Sequence, residues 1–133
     1  MSTRCYIGYL QEDNKVRYVY CQFDGYVDWV GKLLHEWFTT DSSVVPLVEE
    51  PGDIRAINPH HAGSGCRVER YPDNPHEHAL ECNAKDYIPE NPAMSVAEYL
   101  YLWDGKKWWV RSGYLPTLLT VKDALTLSSE GPL

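Results

Sequence analysis

Six side chains able to hold a soft metal fall within 23 residues of one another: His60, His61, Cys66, His76, His78 and Cys82. Read as His61-x4-Cys66 and His78-x3-Cys82, they form two short-spaced pairs with a loop between, the usual layout of a structural zinc site. A segment this poor in apolar residues would also gain order from a metal staple. The spacing matches no standard finger, however, and the ordinary reading is polar histidines on a solvated loop. Zinc at His61, Cys66, His78 and Cys82 is thus the one cofactor candidate, and no other cofactor is expected. A thiol nucleophile is the second candidate, from Cys21 with His35 and Asp24, because a thiolate needs a histidine to lower its pKa and an acid to orient that histidine. Yet Cys21 sits mid-strand among aromatics, where a small buried thiol is ordinary packing, and His35 follows Leu34 on a face turned to solvent. Gly63-Ser64-Gly65 has no strand leading into it and no lysine at phosphate-loop spacing. Glu12-Asp13 and Glu49-Glu50 read as solvated acidic turns. With no set of nucleophile, base and anion hole, no catalytic residue is assigned and a non-enzyme is expected.

Binding chemistry is better supplied. Ten Tyr and five Trp stand against two Phe, and Tyr and Trp bury large area while keeping a polar handle, as half-buried faces and contact surfaces require. Lys106-Lys107-Trp108-Trp109 with Arg111 resembles an aromatic and basic platform for single-stranded nucleic acid. The formal net charge of −7 opposes that use, as it opposes an anionic membrane, while permitting a basic protein partner. The candidate binding residues are therefore the Asp24-Gly25-Tyr26 corner and the aromatic hairpin residues Tyr101, Trp103, Trp108 and Trp109. Counting alternate residues puts Tyr99, Tyr101, Trp103 and Trp109 on one face and Trp108 on the other, subject to a shift across the turn. One of the two neighbouring tryptophans is expected to stand in water as part of a partner or ligand surface.

The elements that must hold these residues are legible in part. Residues 5–10 and 16–23 read as a hairpin across Gln11-Glu12-Asp13-Asn14-Lys15, with Asn14 in a left-handed position. Asp24-Gly25 breaks the second strand; positive φ is expected at Gly25, and Asp24 is expected to cap the helix after it. Val27, Val30, Leu33, Leu34, Trp37 and Phe38 recur at spacings of three and four, the apolar stripe of that helix. A short helix around Ser43–Glu50 comes next, kinked or delayed by Pro46. Residues 51–94 are punctuated by Pro, Gly and Asn and read as a long irregular loop containing one short strand, Cys66–Tyr71. Asp104-Gly105 marks a second hairpin, and Thr120 caps a helix over Val121–Leu127. The expected fold is α+β in a single domain over 1–133. Its antiparallel sheet would have about four or five strands from two hairpins, with one main amphipathic helix packed on it. The start of the chain shows no signal peptide and no apolar run reaches membrane-spanning length, so an intracellular protein with free thiols is expected, although four cysteines also permit two disulfides.

The run Tyr20-Cys21-Gln22-Phe23-Asp24-Gly25-Tyr26, followed by Val30-Gly31-Lys32-Leu33-Leu34, resembles a pattern in small proteins of bacteriophages and related mobile elements. Ala97 to Lys106 with Trp108 is similar to their C-terminal hairpin. The likeness covers about residues 5–57 and 95–111, and departs where those proteins carry His-Trp and this chain has Gln22-Phe23. It implies origin more than activity: an accessory protein in the cytoplasm of a bacterial host, binding and modulating a host protein, with anti-defence as one role. A small-ligand or nucleotide-binding module on the aromatic sheet face is the alternative, and a thiol-dependent enzyme comes after it.

Overall fold

Alternation of buried and open side chains builds the centre of the molecule. A computed structural model describes residues 3–60, 64–71, 79–115 and 117–130, with side chains to Leu127. β1 (Cys5–Leu10) and β2 (Lys15–Cys21) form the expected hairpin, with Cys5 opposite Cys21 and Leu10 opposite Val16. Asn14 takes the turn at φ 62°, a left-handed position that asparagine tolerates. β6 (Tyr99–Trp103) and β7 (Trp108–Arg111) form the second hairpin, with Gly105 at φ 98°, where a side chain would be strained.

The sheet is larger than the sequence suggests, and it is mixed. Among the described residues eight strands run in the order β4-β3-β2-β1-β6-β7-β8, with β5 also paired to β2. The segment 51–94, expected to be irregular, contributes three of them: β3 (Ile54–Pro59), β4 (Cys66–Arg70) and β5 (Leu80–Asn83). Of these, β4 alone matches an expected strand. β8 is the two-residue strand Leu119–Thr120. The two hairpins join through a parallel pairing of β1 with β6, and β2 meets β3 in parallel at Cys21 and Ile54. Both parallel joins need crossovers, and a pattern of local hairpins does not reveal them. The fold is α+β, but the sheet is not a four- or five-stranded antiparallel one.

Among the described residues three helices cover one face. Val27–Gly31 is a π-helical turn that runs directly into α1 (Lys32–Trp37), so the expected single helix starts with a wider first turn. α2 (Asp41–Glu49) is opened by Thr40, whose Oγ1 accepts from the Ser43 amide while the Thr40 amide donates to Ser43 Oγ, a reciprocal cap. Its C-terminal carbonyls are met by Arg70, which donates to the carbonyls of Leu47, Glu50 and Gly52. α3 (Val121–Glu130) begins where Thr120 Oγ1 accepts from the Asp123 amide, as the sequence predicts. Val30, Leu34 and Val44 of the helical layer pack there on Ile7, Val19, Ile54, Tyr101, Trp103 and Trp108 of the sheet, all buried. The opposite face carries a smaller cluster, Tyr6, Val16, Tyr18, Tyr87, Met94 and Leu100, half covered by the 84–97 segment. No helix among the described residues is long and apolar enough to cross a membrane.

Candidate functional site

The Asp24-Gly25-Tyr26 corner is where β2 stops and the helical layer starts. Positive φ falls on Asp24 (59°), not on Gly25 as expected. Aspartate tolerates this position at modest cost. Glycine is required one residue later for a different reason: a Cβ on Gly25 would stand 2.9 Å from the Cys5 Cβ and 3.0 Å from the Thr3 carbonyl oxygen. The Gly25 amide donates to that same Thr3 oxygen at 2.8 Å, and its carbonyl accepts from the buried Tyr101 hydroxyl at 2.7 Å. Nor does the Asp24 side chain cap the helix. Its backbone carbonyl accepts from the Val30 amide instead, at 3.3 Å. Tyr26, the third member of the motif, projects into solvent at 43% exposure.

From Tyr26 the outer side of the helical layer continues the aromatic surface. Trp29 and Trp37 are 39% and 41% exposed, and between them lies a groove of about 240 Å³ lined by Asp28, Trp29, Lys32, Leu33, Glu36, Trp37, Pro59 and Gly65. The Trp29 indole is held from beneath, its Nε1 donating to the Ile57 carbonyl of β3 at 2.9 Å. Its ring is therefore fixed before anything binds, which lowers the ordering cost of a contact. Asp28, Lys32 and Glu36 are exposed and make no ion pair among the described residues. Tyr26 and Asp28 lie close enough to the Tyr99 hydroxyl to add to the upward shift that burial gives its pKa. Tyr99 in turn lies against Tyr114, ring centroids 6.1 Å apart. The exposed aromatics thus run along the outer side of the helical layer, from Tyr26 and Trp29 at its start to Trp37 at the end of α1.

The hairpin residues are placed differently from expectation. Tyr101, Trp103 and Trp108 are all buried on the helix side of the sheet. Trp103 Nε1 donates to Asp41 Oδ1 and Trp108 Nε1 to the Phe38 carbonyl, both at 2.8 Å. Trp103 and Trp108 bolt the hairpin to the region where α1 gives way to α2, Tyr101 ties it to the Gly25 corner, and all three are buried away from a partner. The expected faces also exchange. Trp103 pairs with Trp108 and Leu102 with Trp109, so Trp108 shares the face of Trp103 while Trp109 takes the other. The four-residue turn 104–107 shifts the parity by one, and a one-residue shift sends every side chain to the opposite face. Of the two neighbouring tryptophans, Trp109 is the partly open one. Its Nε1 donates to Asp104 Oδ2 at 2.8 Å, and the Lys107 ammonium sits 4.9 Å from its ring centroid.

The metal and thiol candidates divide. His61, His76 and His78 lie outside the described residues, as does Gly63. Cys66 packs against the helix-side cluster and Cys82 against the opposite one, so the sheet stands between the two sulfurs. Among the described residues no group of three or more metal-binding side chains gathers. Burial raises the pKa of both thiols, helped at Cys66 by Glu36 and at Cys82 by Asp86 and Glu81. Cys21 is fully buried and donates to the Phe23 carbonyl, while His35 is exposed. Cys21 faces Cys5 across the β1–β2 pair instead. Burial and the neighbouring Cys21 sulfur drive the Cys5 thiol well above its ordinary value, which disfavours a thiolate.

Sequence reasoning missed Trp29 as a surface residue and counted Trp37 into the apolar stripe. The signal was present: 29, 32 and 36 form a second row at helical spacing, outside the stripe that packs on the sheet, and Trp37 stands at its edge. Comparisons of the chain with protein-family models, with curated proteins and with solved structures return no match.

Proposed function

We propose that this chain is a non-enzymatic accessory protein of the phage or mobile-element kind its Asp-Gly-Tyr motif resembles, acting in the bacterial cytoplasm by binding a host protein and modulating it, with anti-defence as the role in view. The observation that carries the reading is the helical aromatic belt: Trp29 and Trp37 half in water along a preformed groove, with Tyr26 exposed three residues before Trp29. Tryptophan and tyrosine dominate the energetics of protein contacts when they fill a partner's pocket or receive its side chain. Such exposure on a chain with an ample buried core marks a contact surface. The flanking carboxylates of Asp28 and Glu36 and the net charge of −7 favour a partner that presents a basic rim around an apolar anchor. The experiment is co-purification of tagged protein from a bacterial lysate, repeated with Trp29→Ala and Trp37→Ala. A stoichiometric protein retained by the wild type and lost by both variants supports the reading. Retention by both variants, or capture of no protein, opposes it.

A further inference from the structure

The face of the sheet away from the three α-helices holds a cleft of about 190 Å³ lined by Leu10, Ala84, Tyr87, Leu100, Leu102, Asp104, Trp109, Arg111 and Leu118. Its floor is aliphatic, from Leu100 and Leu102 of β6. Tyr87 adds only its ring, because its hydroxyl is turned away to donate to the Tyr101 carbonyl at 2.8 Å. Two charged groups stand at opposite ends. Asp104 is already occupied: its Oδ2 accepts from Trp109 Nε1 and its Oδ1 from the amides of Lys106 and Lys107. Burial alone would raise its pKa, yet these donors and the Lys107 charge outweigh that and hold it below the ordinary value.

Arg111 is the opposite case. It is half-buried, and it makes no ion pair or hydrogen bond through its side chain among the described residues. Glu90 lines the polar hollow on the far side of Arg111 without pairing with it. Register places Arg111 beside Leu100 and Trp109 beside Leu102, so the two side chains leave the same face of the strand about 7 Å apart, and Arg111 lines both this cleft and the polar hollow beside it. A half-buried guanidinium with no anion paired to it among the described residues is open to a carboxylate.

We propose that this cleft binds a small aromatic monocarboxylate, its ring between Trp109 and the leucine floor and its carboxylate on Arg111. Size sets the limit. An apolar cavity of about 150 Å³ holds benzene, so a cleft of about 190 Å³ has room to seat a single ring with a short acid arm. One cation left free among the described lining residues matches one negative charge. The site lies on the face opposite the helical belt, so it stands or falls independently of the partner reading.

The test is titration of the folded protein with phenylacetate, followed by the Trp109 indole N–H and Arg111 Nε–H signals in proton–nitrogen spectra. Saturable shifts at both are expected. Phenylacetamide, which has the same shape without the charge, should bind about tenfold more weakly or worse, the scale of a lost charge-assisted hydrogen bond. Arg111→Gln should weaken phenylacetate by a similar factor at an unchanged melting temperature, and Arg111→Lys should restore part of the affinity. Equal binding of the amide, unchanged affinity in Arg111→Gln, or no saturable shift would overturn the proposal. If Arg111→Gln does not fold, the acid–amide comparison on the wild type decides. Binding of a peptide with a C-terminal phenylalanine, in the absence of phenylacetate binding, would also overturn it by assigning the cleft to a chain terminus.

Discussion

Replacing Gly25 by alanine adds one carbon at a point where three atoms already crowd. The new Cβ would lie 2.9 Å from the Cys5 Cβ, 3.0 Å from the Thr3 carbonyl oxygen and 3.2 Å from the Arg4 carbonyl carbon. Two of these are backbone atoms, so no rotamer change relieves them. The strand cannot simply retreat either, because Cys5 is paired on one side with Cys21 and on the other with Tyr99. Moving the corner instead stretches the Gly25–Thr3 bond and the Tyr101–Gly25 bond, now 2.8 and 2.7 Å. Overpacking of this kind costs about 1–3 kcal/mol. With ~2.1 cal/mol/K of unfolding entropy per residue, 133 residues give about 0.28 kcal/mol/K, so the melting temperature should fall by ~4–11 °C. Gly113→Ala is the control, since a Cβ there meets nothing within 4 Å. It should be neutral or stabilising by up to ~1 kcal/mol through the unfolded chain. Thermal melts of the two variants against wild type measure the difference. A Gly25→Ala protein that melts with the wild type would refute the crowded-corner account.

Trp108→Ala removes a ring that is 2% exposed and a hydrogen bond to Phe38, so urea unfolding should show a loss of about 3–5 kcal/mol. Trp37→Ala should stay within ~1 kcal/mol of wild type in the same assay. Asp104 titrates below its ordinary value of 3.8, so it contributes stability that is fully present above that pH and lost as pH falls through the lower folded value. The melting difference between wild type and Asp104→Asn should therefore be constant at neutral pH and shrink as pH falls below 3.8; a difference independent of pH would place the effect elsewhere.

Local signals carried well into the structure. Asn14 and Gly105 sit at positive φ where their turns require it, and Thr120 caps α3. What failed was non-local. Nothing near Tyr99 announces a parallel partner as distant as β1, because the pairing depends on closing most of the chain into one loop. β3 carries Arg55, Asn58 and Pro59 among its apolar residues, and β5 is four residues with Glu81 and Asn83 exposed, so neither shows a clean alternation. Their strand character comes from partners that the sequence of 51–94 does not advertise: β5 lies along β2, and β3 is paired along its length with β4 and touches β2 at Ile54. The same holds for the candidate site. Aromatic content pointed to a binding protein, but which tryptophans face water depended on a one-residue parity in the 104–107 turn. It depended also on where the sheet met the helices. The Asp24-Gly25 break was legible, while the division of labour between its two residues was not.

The helical aromatic belt is proposed as the working surface, and binding energetics test that most directly. Once a protein partner is captured, its affinity for the purified chain can be measured by calorimetry for wild type, Trp29→Ala, Trp37→Ala and Arg111→Gln. Each tryptophan variant should lose ~2 kcal/mol or more of binding free energy, roughly thirtyfold in Kd, with melting temperatures near that of the wild type, while Arg111→Gln should bind as the wild type does. Wild-type affinity in both tryptophan variants would contradict the belt as the contact surface.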